Sequence, residues 1–223
     1  MAETVDVRRR ILEANEQAAR TLRERFSGAR MLVPNLISSP GSGKTTFLEA
    51  TVRAFAGRLR LGVIEGDVAT ERDAERLRAA GVPAHQILTG GACHLDARQV
   101  DKAMADAAFP ELDILFIENV GNLICPTSYD LGEDFKVALL STAEGDDKPF
   151  KYPAIFSKAS VTVVTKADLL PHVTFDLEAV RRQVSSLNPG GTLLVTSSRT
   201  GEGIDAWCGL LEARLAAKRE EKA

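Results

Sequence analysis

The stretch Ser38–Thr46 reads SSPGSGKTT, directly after the apolar run Met31–Ile37 and directly before Phe47, Leu48 and Ala50 at helical spacing. A glycine-bearing turn between a buried strand and a helix, ending in Lys-Thr, is the sequence form of a phosphate-binding loop. Gly41, Ser42 and Gly43 let the backbone close around phosphate oxygens, with amide N–H groups and the helix N-terminus directed at the anion. Lys44 then reaches the β and γ phosphates, Thr45 carries the hydroxyl that this motif places on Mg²⁺, and Thr46 faces the α-phosphate side. Ser38 stands where the general pattern has its first Gly, a departure that the strand and helix on either side outweigh. A nucleoside triphosphate is the expected ligand.

Outward from this loop, short apolar or β-branched runs at Leu59–Glu65, Ile114–Glu118, Val161–Thr165 and Thr192–Thr196 read as buried strands. Helical spacing occupies Glu71–Ala80, Ala97–Ala107, Phe135–Thr142, Leu177–Leu187 and Ile204–Lys218. The alternation predicts an α/β fold, a P-loop NTPase with an open, mostly parallel sheet and helices on both faces. Val5–Arg30 reads as one amphipathic helix, through Val7, Ile11, Leu12, Ala18, Ala19 and Leu22, that precedes the domain. The expected division is therefore a helix over 1–30, a nucleotide-binding domain over 31–217 and a frayed, charged tail over 218–223. Glu144–Tyr152, EGDDKPFKY, is the most polar internal loop.

With 28 basic against 31 acidic residues the net charge is −3, which offers no broad cationic surface to nucleic acid or anionic lipid. No apolar stretch approaches the roughly 20 residues that span a bilayer, and the N-terminus lacks a signal-peptide core. A soluble, cytoplasmic protein with protein partners is expected. Its cysteines number three, an odd count that argues against a disulfide framework and for reduced thiols.

Thr165–Asp168, TKAD, follows the strand VTVV in the place where GTPases carry their guanine-specifying NKxD. Asp168 would accept from guanine N1 and N2, and adenine would leave that carboxylate unpaired. Lys166 lays its stem along the base, and Thr165 stands in for the usual Asn. The segment Ser197–Gly203, SSRTGEG, occupies the position of a second base-binding turn and nominates Ser198. GTP is thus the expected nucleotide. Glu65, Asp67 and Glu118 end two strands where ligands gather in open α/β sheets. Glu118 opens ENVG, similar to the DxxG segment of GTPases, so Thr45, Asp67 and Glu118 are the expected Mg²⁺ set and the Gly121 N–H approaches the γ-phosphate. Lys44, Asp67 and Glu118 are the expected catalytic residues, with Thr70 and Asp73 in a switch segment behind Asp67. No arginine is evidently placed as a finger in cis, so slow intrinsic hydrolysis is expected.

Cys93 and His94 are adjacent in GGACHLDA, and Cys125 lies a few residues beyond Gly121. Thiolate and imidazole suit Zn²⁺ or Ni²⁺ rather than Mg²⁺, although thiols in an α/β core more commonly pack than ligate. One chain offers an incomplete tetrahedral set, which a shared site at a symmetric dimer interface would complete. His85 and His172 read as structural or surface residues, and Cys208 beside Trp207 as packing.

The segments SSPGSGKTT, EGD, CHLDA, ENVGNLICP, EGDDKPFKYP and SSRTGEG, in this order, resemble the HypB family of nickel-insertion GTPases that mature nickel–iron hydrogenases. The resemblance runs through nearly all of the chain after about Asn35. The related UreG family carries Cys-Pro-His, whereas here His94 follows Cys93 directly. The resemblance implies a SIMIBI-type G domain that dimerises on GTP and holds Ni²⁺ or Zn²⁺ at the interface through Cys93, His94 and Cys125. It also implies nickel transfer with a HypA-type accessory protein and, indirectly, the hydrogenase large subunit as partners. Met1–Arg30 contains neither Cys nor His, so the nickel-binding Cys-rich or His-rich leader of some members is not expected. In the EGDDKPFKYP loop, Lys148 is expected near nucleotide across the dimer.

Nucleotide and metal together suggest a switch in which GTP orders the segments around Asp67 and Glu118 and shifts the metal ligands. Two rival readings remain. One is a GTP-dependent chaperone or scaffold for another metalloenzyme, such as urease, with structural cysteines; the other is a small-molecule kinase, which would leave TKAD and SSRTGEG without a purpose.

Overall fold

The computed structural model describes residues 2–68 and 71–221, with the backbone alone for 2–9 and 11. Its strands are β1 (Pro34–Ser38), β2 (Leu61–Asp67), β3 (Ala84–Leu88), β4 (Ile114–Glu118), β5 (Phe135–Ser141), β6 (Val161–Thr165) and β7 (Thr192–Val195). They form a seven-stranded sheet in the order β3-β2-β4-β1-β5-β6-β7, with every neighbouring pair parallel. The helices are α1 (Ala2–Gly28), α2 (Lys44–Phe55), α3 (Arg72–Ala79), α4 (Ala97–Asp106), α5 (Lys148–Lys151), α6 (Pro153–Lys158), α7 (Leu177–Leu187) and α8 (Ile204–Glu220). Among the described residues no helix is long and apolar enough to cross a membrane.

Side chains alternate across each strand, and both faces of the sheet are covered. Leu36, Val63, Phe116, Val137 and Val163 meet Phe47, Phe55, Trp207 and Leu211 of α2 and α8 on one face. On the other, Ile64, Leu115 and Ile117 meet α1 and α4, while Ile37, Ala138, Leu140 and Val164 meet α6 and α7. Cys208 is buried in the first of these clusters, as its place on the last helix implied, and Trp207 Nε1 donates to Thr51 Oγ1 at 3.1 Å.

Register puts the chemistry at one edge. Leu36 of β1 and Glu65 of β2 both pair with Glu118 of β4, so the two glutamates stand side by side next to the end of β1. This central strand is where ligands collect outside the carboxyl ends of an open α/β sheet.

Several expectations need correction. Phe135–Thr142, read as helical, is the strand β5, held between β1 and β6. Its run is buried at every position but the half-buried Lys136, and burial on both faces erases the alternation that separates a strand from a short helix. β3 was not anticipated; AHQIL is a half-buried edge strand with polar residues at its centre. Part of the polar loop folds into α5, and α6 follows it directly, each opened by an early proline. The tail is not frayed at Lys218, which lies within α8 and bonds Asp134 at 2.6 Å and the Met31 carbonyl at 2.7 Å.

α1 does not enter the sheet, but Ala19, Leu22 and Phe26 of its second half are fully buried. Arg23 donates to both carboxylate oxygens of Asp130, at 2.6 and 2.7 Å. The side chains of Val7 and Ile11, and Thr70 of the expected switch segment, lie outside the described residues.

Candidate functional site

The loop after β1 is wired before any ligand enters. Gly41 and Gly43 have φ of 77° and 92°, left-handed values that a side chain would strain, and Gly43 caps α2. Ser42 Oγ donates to Ser38 Oγ at 2.5 Å, and Lys44 Nζ donates to the same oxygen at 3.0 Å. Ser38 therefore has a use that a glycine could not serve: it holds the lysine over the loop. Thr45 Oγ1 donates to Glu118 Oε1 at 2.9 Å, and Thr46 accepts from Arg76 of α3 at 3.1 Å. Gly121 is confined as well, because a Cβ there would stand 2.9 Å from the ring of Pro40.

A cleft of about 540 Å³ opens over this loop, a size suited to a small ligand, and its wall includes Lys44, Thr45, Glu65, Asp67, Glu118 and Lys166. Glu65, Asp67 and Asp73 bring ligand atoms within 4.8 Å of one another. Glu65 Oε2 and Glu118 Oε2 are buried acceptors without a hydrogen-bond partner among the described residues. Burial, with the neighbouring Glu118 charge second, pushes Glu65 up to about 8. Burial likewise pushes Glu118 up to about 7, against the pull of Lys44 and the Thr45 hydroxyl.

In the TKAD turn, Thr165 Oγ1 donates to the Ser42 carbonyl and Lys166 Nζ to the Gly41 carbonyl, both at 2.7 Å. Thr165 thus ties the strand end to the phosphate loop through its hydroxyl. Asp168 accepts from Ser197 Oγ at 2.6 Å and has Arg199 at 3.7 Å. Ser198, the serine nominated from sequence, is half-buried next to the one that makes this bond. Lys148 Nζ lies 3.5 Å from Ser39 Oγ, so it reaches the phosphate loop of its own chain.

Cys93, His94 and Cys125 converge. Their ligand atoms all lie within 4.8 Å of one another, with Cys93 exposed and the other two half-buried. Cys93 Sγ is 3.6 Å from His94 Nδ1, and the imidazole packs on Tyr129 with ring centroids 3.8 Å apart. The Cys125 thiol and burial raise the Cys93 pKa, and burial lowers that of His94. A neutral imidazole is the ligating form, and metal binding would displace the thiol protons.

Residues 32–195 match the domain family described as CobW/HypB/UreG, nucleotide-binding domain. The hydrogenase maturation factor HypB of Azotobacter vinelandii is 48% identical over 95% of this chain and 72% of its own length. The chain belongs to the HypB family. Two solved HypB structures superpose closely. That of Helicobacter pylori, in complex with nickel, has a TM-score of 0.86 and 40% identity over 93% of this chain and 96% of its own. That of Archaeoglobus fulgidus has a TM-score of 0.85 and 35% identity over 92% of this chain and all of its own.

As a HypB-family member the chain is a P-loop GTPase, a GTP hydrolase. The Mg²⁺ that such enzymes use fits the residues here, since the two orphaned buried carboxylate oxygens and the Thr45 hydroxyl are hard oxygen donors beside the phosphate loop. Sequence reasoning missed Arg76, which lines the cleft and bonds Thr46, Glu49 and Asp73. Its only signal was its place one helical turn after Asp73, and a basic residue on a charged helix is not distinctive.

Proposed function

We propose that this chain is a GTP-driven nickel-delivery switch of hydrogenase maturation, acting in the cytoplasm, with Cys93, His94 and Cys125 as the cargo site. The observation that carries the reading is the convergence of three soft donors, from two loops far apart in sequence, beside the turn that begins at Glu118. Structural thiols would be expected in the core, as Cys208 is; Cys93 is exposed.

In this reading Gly41, Ser42 and Gly43 present amide N–H groups to the phosphates. Lys44 leaves Ser38 for the β and γ oxygens, and Thr46 borders the α-phosphate. Thr45, Asp67 and Glu118 hold Mg²⁺, which when bound neutralises part of the phosphate charge. Glu65 and Asp73 stand behind them. The Gly121 N–H meets the γ-phosphate, and Asp67 orients the attacking water. Lys166 stacks on guanine, Asp168 accepts its N1 and N2 protons, and Ser198 borders the base. Three protein donors are one short of a tetrahedral zinc site. A second copy would complete the set, so the cargo site, for Ni²⁺ or Zn²⁺, belongs to a GTP-dependent homodimer. A HypA-type accessory protein and, through it, the hydrogenase large subunit are the proposed partners.

Equilibrium dialysis of the full chain against Ni²⁺ and Zn²⁺, with GDP and with a non-hydrolysable GTP analogue, tests this. Binding that Cys93→Ala abolishes supports the reading; nucleotide binding with no metal uptake by the wild type would overturn it.

A further inference from the structure

The turn that follows β4 touches both sites, and two amide side chains in it make the connection to the metal loop. Asn119 is fully buried directly after Glu118. Its backbone N–H donates to the Leu36 carbonyl of β1 at 3.0 Å. Its Oδ1 accepts from the N–H of Val120 at 3.1 Å and from the N–H of Leu95 at 3.2 Å. Its Nδ2 donates to Asn35 Oδ1 at 3.3 Å, and Asn35 in turn donates to Glu133 at 3.2 Å. The orientation of the amide is therefore set from several sides, with its oxygen turned toward the backbone that carries His94. Leu95 is itself fully buried over Gly66, where a Cβ would lie 2.8 Å from its side chain, so this end of the metal loop is clamped to β2.

Asn122 repeats the arrangement beyond Gly121. Its Nδ2 donates to the Cys93 carbonyl at 3.2 Å, and its Oδ1 accepts from the N–H of Ile124 at 2.8 Å, one residue before Cys125. One five-residue turn, Glu118 to Asn122, thus bonds Thr45 through Glu118, packs on Pro40 through Gly121, and holds both thiol-bearing segments through its two asparagines. Hydrogen bonds are directional, and a shift of the turn that broke the bond to Leu95 would leave a buried backbone N–H unpaired, while the Asn122 bonds tether exposed backbone on either side of it.

We propose that Asn119 and Asn122 are positioning residues that couple nucleotide state to metal affinity: Asn119 through the Leu95 N–H, Asn122 through the Cys93 carbonyl and the Ile124 N–H. The proposal rests on the switch reading above. Neither residue ligates metal; each fixes the separation of Cys93 and His94 from Cys125 according to where the turn stands.

The test is a competition titration of Ni²⁺ against a chromophoric chelator, on the full chain with Mg²⁺ and either GDP or a non-hydrolysable GTP analogue. The wild-type ratio of affinities in the two states should be at least about fivefold, the lower end of ordinary coupling between sites. Asn122→Ala should bring that ratio well below the wild-type value while nickel stoichiometry and melting temperature stay at wild-type values. Asn122→Asp, which keeps the acceptor for Ile124 and loses the donor to Cys93, should retain part of it. Asn119→Ser should also lower the ratio. A wild-type ratio that persists in Asn122→Ala overturns the proposal and leaves the switch reading intact. A ratio of unity in the wild type overturns both.

Discussion

The phosphate loop and the thiol pair lie on the same edge of the sheet, yet they are finished to different degrees. Ser38, Ser42, Lys44, Thr45 and Thr165 are buried or nearly so and bonded to one another or to neighbouring segments. Cys93 is exposed, Cys125 half-buried, and their nearest support is the backbone held by Asn122. A preorganised cradle spends little of its binding energy on ordering. On the reading proposed above, a partly exposed donor set one ligand short of a tetrahedron can change its affinity with a small displacement, which is what delivery requires and storage does not. Nucleotide binding thus belongs to the fold itself, whereas the proposed metal binding would depend on the state of the fold.

Variants that act on one region alone should separate the two. The largest effect is expected from Lys44→Ala, which removes the charge meant for the β and γ phosphates. GTP hydrolysis should fall by about 10²–10³-fold, read by phosphate release, while nickel affinity without nucleotide stays at the wild-type value. Cys125→Ser should do the reverse. Nickel affinity should drop by at least about 10²-fold, measured by chelator competition, with GDP affinity unchanged.

A third variant tests the frame on which both regions stand. Asp113, directly before β4, accepts from the Arg60 backbone at 2.7 Å and side chain at 2.8 Å and from Arg219 at 2.5 Å. Hydrogen bonds from Arg60, with those from Arg219 and the backbone, hold its carboxyl well below the usual carboxylate range. A carboxylate whose folded pKa is depressed stabilises the fold above its unfolded value, near pH 4, and that contribution disappears as pH falls through the folded value. Asp113→Asn should cost about 2 kcal/mol at pH 7 and progressively less below about pH 4, as followed by urea unfolding. Equal losses at pH 7 and pH 2 would rule out the ion pairs as the cause. The smallest effect is expected from Ser38→Gly, which restores the general motif but frees Lys44 and Ser42. A loss of about 1 kcal/mol in GDP affinity or stability, seen by calorimetry, would sharpen the view that this serine organises the loop.

How far each region could be read in advance follows from its physics. SSPGSGKTT needs glycines, a lysine and a hydroxyl at fixed offsets, so the loop and its strand and helix were legible. The structure corrects only the value placed on Ser38. TKAD was legible as a turn after a strand and a candidate for base binding, but the bond from Thr165 to Ser42 depends on tertiary contact. β5 was hidden because FKVALLS is buried on both faces, and β3 because an edge strand tolerates His85 and Gln86 in its middle. Cys93 and His94 were visible as donors, yet their meeting with Cys125 depends on how the loops after β3 and β4 return to one edge of the sheet. Asn119 and Asn122 carried no signal, because an asparagine after a strand most often marks only a turn.

The most direct test of the central claim is the nickel affinity of the wild-type chain in the GDP state and with a non-hydrolysable GTP analogue, at one Mg²⁺ concentration. The two affinities should differ by at least about fivefold. Equal affinities in the two states would contradict that claim.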